Sequence, residues 1–161
     1  MKTIMIGIGG IAVSNKPGEM LKTMGLGSCV GVMAISIQKK VVGMAHIALS
    51  DSNMSLEKAK SLPGYFADTG VPMLLNEMKK LGINGNGDMI IKLAGGANVM
   101  DPCDLFCIGK RNVLSIRKYL WQNRLAPRIE DVGGSFCRTV WVEVDTGKVF
   151  LSSPGRGEWE I

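Results

Sequence analysis

The chain has 161 residues, 46% of them hydrophobic and 20% charged, which is enough to bury a core and excludes a disordered tail. Its formal charge of +5 comes from dispersed Lys and Arg, and three Trp, two Tyr and four Phe do not form the basic run with interleaved rings that binding to nucleic acid requires. No apolar run approaches membrane-spanning length, and cysteines at 29, 103, 107 and 137 are too sparse for a disulfide framework, so a cytoplasmic chain of free thiols with no direct membrane insertion is expected.

In chain order, Met1-Lys2 and the apolar stretch Thr3 to Val13 imitate a signal peptide, but the stretch is rich in Gly and Ile and runs into the turn Asn15-Lys16-Pro17-Gly18. It reads as a first strand pair. Gly7, Gly9 and Ala12 satisfy a loose dinucleotide fingerprint, yet the same turn leaves no room for the helix that such a loop must open. Strands are predicted at 3–8, 20–24, 29–37 and 41–48, the last two joined as a hairpin across Gln38-Lys39-Lys40. Ser50-Asp51-Ser52-Asn53 opens a polar stretch that should loop over the surface.

Apolar residues recur at helical spacing from Tyr65 to Leu81, with Pro72 in the first turns and Gly82 as the stop. A strand at 89–94 and the Gly95-Gly96-Ala97 break precede a second helix at 111–123. Three short strands at 128–132, 137–144 and 147–152 end the chain, with Asp145-Thr146-Gly147-Lys148 as a hairpin turn. Two main helices with strands around them make a single α+β domain over residues 1–161.

The chemistry concentrates in Thr23-Met24-Gly25-Leu26-Gly27-Ser28-Cys29-Val30. A thiol between a glycine-rich turn and a β-branched strand projects from the strand end while backbone N–H groups gather beside it, offering a nucleophile and an oxyanion site at Gly27 and Ser28. An ordinary buried cysteine is the plain alternative. His46, the sole histidine, is the one imidazole available as a base. With the turn at 38–40, paired residue numbers sum to about 78, so Cys29 faces Leu49 and a bulge or twist must bring His46 within reach. Asp51 and Thr23 both have the spacing to orient the imidazole, and the residues alone do not separate them. Cys103 and Cys107 are loosely spaced and far from the other metal-binding side chains, so no metal site is expected.

Gly25-Leu26-Gly27-Ser28-Cys29-Val30 followed by Gly43-Met44-Ala45-His46 resembles the signature of the CheD family of chemoreceptor glutamine deamidases. The resemblance continues through Tyr65-Phe66-Ala67-Asp68, Lys92 to Ala97, Ile108-Gly109-Lys110-Arg111-Asn112, Asp131 to Gly134 and Thr146 to Val149. It implies Cys29 as nucleophile, His46 as base and Thr23 as the third catalytic residue, acting without metal or organic cofactor. It also implies a layered α-β-β fold with mixed sheets, like the deamidase domain of cytotoxic necrotising factor toxins. The implied substrate is a glutamine side chain, or a glutamyl methyl ester, on the cytoplasmic domain of a chemoreceptor. The implied regulatory partner is a CheC-type phosphatase, and a binding module for that phosphatase with little catalysis is the alternative function. A thiolate–imidazolium pair is the expected resting state. The sequence departs from many relatives in having Leu49-Ser50 where they have leucine-proline. Arg111, Arg117, Lys118, Arg124 and Arg128 read as a solvated face that could meet an acidic receptor helix.

Overall fold

The computed structural model describes residues 1–100 and 103–161. Among these, the chain runs β1 (Lys2–Ile6), β2 (Ile11–Ser14), β3 (Glu19–Leu26), β4 (Val30–Ser36), β5 (Val41–Ile47), α1 (Leu56–Ser61), α2 (Ala67–Lys80), β6 (Ile90–Gly95), α3 (Ile108–Gln122), β7 (Pro127–Val132), β8 (Arg138–Glu143), β9 (Val149–Ser153) and β10 (Gly157–Glu160). The strands form two mixed five-stranded sheets, an outer one ordered β1-β3-β8-β9-β10 and a central one ordered β2-β5-β4-β6-β7.

The central sheet is covered on both faces, which is why β4 and β5 read as unbroken apolar runs and are buried at every position. Val30, Val32, Ala34, Ala45 and Ile47 pack against Val71, Leu74 and Met78 of α2 and Ile116 and Leu120 of α3. The alternate residues Met33, Ile35, Val42 and Met44 pack against Leu21, Val140, Val142 and Leu151 of the outer sheet. The layers are therefore helices, central sheet, outer sheet. Gly43 lets α2 lie close, since a Cβ there would come within 2.8 Å of Met78 Sδ and 2.9 Å of Leu74 Cδ1.

The structure extends or changes the sequence reading at several points. The terminal strands are divided between the sheets: β7 joins the central sheet parallel to β6, with α3 as the crossover, and β8, β9 and the unpredicted β10 form an antiparallel run in the outer sheet. The polar stretch after Asn53 contains α1, capped by Ser55 Oγ accepting from the Lys58 amide at 3.3 Å. The β4–β5 hairpin pairs Gly31 with His46, one position from the predicted register. Ile37 belongs to the turn rather than the strand, where the Lys40 amide donates to its carbonyl. Pro72 lies inside α2, and the rest of that helix matches its predicted span to within two residues.

Candidate active site

The chain crosses from the outer to the central sheet through Gly7–Gly10, and this crossing holds the backbone of His46. The Gly9 amide donates to His46 O at 2.8 Å, and the His46 amide donates to Gly10 O at 3.0 Å. Gly9 has a φ of +77°, and a Cβ on it would lie 2.5 Å from Leu62 Cδ2. The loose dinucleotide fingerprint is thus a strand-to-strand turn whose work is to seat the histidine strand.

The His46 side chain enters the space between the sheets and is 1% exposed. Its Nδ1 lies 2.7 Å from Oγ1 of Thr23, which projects from β3 of the opposite sheet. The Thr23 hydroxyl donates its single hydrogen to Ile6 O at 2.8 Å. Toward the imidazole it can therefore only accept, so Nδ1 carries the proton and Nε2 presents a lone pair. Burial lowers the His46 pKa to about 4, which keeps the ring neutral near pH 7. Nε2 is buried and has no hydrogen-bond partner among the described residues.

Cys29 stands one residue before β4. Because Gly31 pairs with His46, Cys29 shares the face of the sheet toward which His46 points, diagonal to it on the neighbouring strand. No bulge is needed, because the one-residue change in register supplies the alignment. Gly31 puts no side chain on this face, where a Cβ would meet Leu26 Cδ1 at 3.3 Å, and half-buried Cys29 packs against the inter-sheet core. Burial pushes the thiol pKa up, opposed by its own backbone amide. Both shifts point to a neutral thiol beside a neutral imidazole at rest, in place of the ion pair expected from sequence.

Three successive carbonyls fix the turn that carries the thiol. Gly27 O accepts from the Ala97 amide at 2.8 Å, Ser28 O from Asn112 Nδ2 at 3.0 Å, and Cys29 O from the Gly96 amide at 2.8 Å. The Gly27 amide is itself engaged, donating to Gly25 O at 3.0 Å. The Ser28 and Cys29 amides have no backbone partner among the described residues. The Gly95-Gly96 bend is pressed so tightly on this turn that a Cβ on Gly95 would lie 2.2 Å from Cys29 O.

At the turn opens a pocket of about 540 Å³ lined by Gly25, Gly27, Ser28, Cys29 and Cys137 and by residues within 97–100 and 104–109. Its apolar lining is supplied by Val99, Met100, Phe106 and Ile108. Gly27 keeps the floor clear, since a Cβ there would meet Val99 Cγ2 at 3.1 Å. The first residues of α3 also line it, so the partial positive charge of that helix end borders the pocket. His46 is not part of the lining and is buried between the sheets.

The structure joins Thr23 to His46 by a hydrogen bond, sets Cys29 on the same sheet face diagonal to His46, and places Gly27 and Ser28 in the pocket lining. Asp51 does not take part: its carboxylate accepts from the Asn53 amide at 2.9 Å and caps a short 3-10 turn. Among the described residues no cysteine is in a disulfide; Cys103 and Cys137 are exposed, and Cys29 and Cys107 are half-buried. Sequence reasoning missed the roles of Gly9, Gly10 and Asn112. Only Asn112 carried any signal, as the last residue of a recognised block.

Fold and site together define a layered α-β-β protein with a buried threonine–histidine pair between its two sheets and a half-buried cysteine on the same sheet face. The model of a family described as CheD chemotactic sensory transduction matches residues 48–153, and the chain belongs to the CheD family. The chain is 48% identical to "Probable chemoreceptor glutamine deamidase CheD" of Syntrophotalea carbinolica, with 100% of each chain covered. It is 41% identical to "Probable chemoreceptor glutamine deamidase CheD 1" of Syntrophus aciditrophicus, with 96% of each covered. To "Chemoreceptor glutamine deamidase CheD" of Thermotoga maritima it is 39% identical, over 96% of this chain and 94% of the relative.

Proposed function

We propose that this chain hydrolyses glutamine side-chain amides of chemoreceptors to glutamate through a thioester on Cys29. The observation that carries the reading is the fixed tautomer of His46, whose unbonded Nε2 lies on the same face as the thiol. The names of full-length relatives supply the substrate. In the first half-reaction Nε2 takes the proton of the Cys29 thiol as sulfur attacks the carboxamide carbon. The amides of Ser28 and Cys29 receive the developing oxyanion, aided by the N-terminal end of α3. The imidazolium returns its proton to the departing nitrogen, which leaves as ammonia. Water then enters from the pocket, gives a proton to Nε2 and attacks the thioester carbon; collapse releases the glutamate side chain and restores the thiol. Thr23 keeps Nδ1–H in place through both proton transfers. A glutamyl methyl ester reaches the same acyl-enzyme with methanol as leaving group.

The proposed place of action is the cytoplasmic domain of a receptor, the substrate that the relatives' names supply. A CheC-type phosphatase is its proposed regulatory partner, tested by co-elution of the two purified proteins. The decisive measurement for the activity is mass spectrometry of a receptor cytoplasmic domain incubated with wild type, Cys29→Ala or His46→Ala. Site-specific gain of one mass unit at glutamine with wild type alone is expected. Equal conversion by Cys29→Ala, or none by wild type, sinks the reading.

A further inference from the structure

We propose that Asn112 is a positioning residue for the Cys29–His46 pair, its side-chain amide setting the distance between the turn that carries the sulfur and the strand that carries the imidazole. The inference rests on the thiol–imidazole pairing proposed above. Asn112 lies in the first turns of α3 and is 1% exposed. Its Nδ2 donates to Ser28 O at 3.0 Å and to Ala48 O at 2.9 Å. Those carbonyls belong to the residue before the nucleophile and to the second residue after the base.

The place of this bridge matters. The β4–β5 ladder ends at the pair Val30–Ile47, and beyond it the two chains take different partners. Cys29 O accepts from the Gly96 amide, and the Ala48 amide donates to Tyr65 O at 2.9 Å. Asn112 spans the gap where the next rung of the ladder would stand, at the position that governs how far Cys29 sits from His46. The helix carrying it is held firmly, because a Cβ on Gly109 would lie 2.5 Å from Gly96 O.

The other half of the amide argues for a role beyond stability. Asn112 Oδ1 is buried and has no partner among the described residues. An orphaned buried acceptor costs free energy, so a position serving packing alone is better filled by an apolar side chain of the same shape. What only an amide of this length supplies is two N–H donors from one nitrogen to two converging carbonyls.

The test compares wild type with Asn112→Ala, Asn112→Asp, Asn112→Ser and His46→Ala in the intact chain. Asn112→Asp keeps the shape but turns a carboxylate toward two carbonyl oxygens, whereas Asn112→Ser keeps one donor and fits without strain. Alkylation of Cys29 by iodoacetamide is followed against pH on the tryptic peptide Thr23–Lys39, in which Cys29 is the sole cysteine. In wild type His46 accepts the thiol proton, so alkylation rises at lower pH than in His46→Ala. The Asn112→Ala and Asn112→Asp profiles should move to that of His46→Ala, with Asn112→Ser between. Toward a receptor domain, kcat of Asn112→Ala should fall by on the order of 10²-fold with KM held within about two-fold, the cost of misplacing a reacting group by about 1 Å. Asn112 variants with the wild-type profile, beside a displaced His46→Ala profile, overturn the positioning role, whatever their Tm. A wild-type profile in His46→Ala overturns the pairing itself. The alkylation reading does not depend on the receptor being the substrate.

Discussion

The two halves of the site are built in opposite ways. The histidine half is sealed between the sheets: Thr23 is fully buried, His46 is 1% exposed, and the imidazole is held through its backbone by Gly9 and Gly10 and through Nδ1 by the opposite sheet. The cysteine half lies at the rim, on a turn anchored from below by its carbonyls and open above to a pocket walled by exposed apolar side chains. Folding therefore fixes the base before any substrate arrives, while the approach to the nucleophile is shaped by a segment that contributes little to the core. Changes in the first half should cost activity and stability together, and changes in the second should cost activity or binding alone.

Thr23→Val separates the halves most sharply. It conserves shape but removes the acceptor for Nδ1–H and the donor to Ile6 O, leaving two buried polar groups unmatched. We expect a loss of kcat of on the order of 10²-fold, within the range of general-base catalysis, because the ring is no longer held in the tautomer with Nε2 free. Denaturant unfolding should show a loss of about 1–3 kcal/mol, the cost of buried unsatisfied groups. An active, fully stable Thr23→Val would mean that the tautomer is set elsewhere. Restoration of activity by Thr23→Ser, which keeps the hydroxyl, checks that the oxygen is responsible.

The same burial gives the histidine half a pH signature that the cysteine half lacks. His46 titrates at about 4 in the folded chain against an ordinary 6.5. Between those values the unfolded chain holds a proton that the folded chain does not, so stability is complete above pH 6.5 and declines as the pH falls toward 4. A gap of this size corresponds to about 3 kcal/mol at most. Comparison of His46→Gln with wild type at pH 7 and pH 4.5 isolates this contribution from that of Glu19, whose carboxyl is also held below its ordinary value, chiefly by the Ser14 hydroxyl. The acid loss of stability in the variant should be smaller by about 2 kcal/mol. Equal slopes would show that the folded imidazole accepts a proton as readily as the unfolded one. Cys29→Ala should leave the acid slope as in wild type.

What the sequence disclosed follows the same division. The hairpin that bears both reacting groups was legible because two apolar runs flank Gln38-Lys39-Lys40. Its register was not, because an exposed apolar residue, Ile37, occupies the turn and makes the strand look one residue too long. The contact between Thr23 and His46 joins different sheets and leaves no periodic trace along the chain, so local reasoning could not choose between Thr23 and Asp51; only the family resemblance did. Asn112 acts across 84 and 64 residues, where propensity says nothing. The division of the last strands between the sheets was hidden for the same reason: strand character is local, and pairing is not.

The smallest effect tests the rim. Phe106 is 66% exposed, lines the same pocket as Cys29 and belongs to neither core cluster. With exposed Val99, Met100 and Ile108 it makes an apolar lining of the kind that meets a group entering a pocket. Phe106→Ser should raise KM for a receptor domain several-fold, the loss of roughly 1–2 kcal/mol of apolar contact, with kcat within about two-fold and Tm unchanged. The split between KM and kcat is the informative part. A fall in kcat at constant KM would place the ring in ordering the thiol, and a fall in Tm would make the rim part of the folded core, erasing the difference between the two halves.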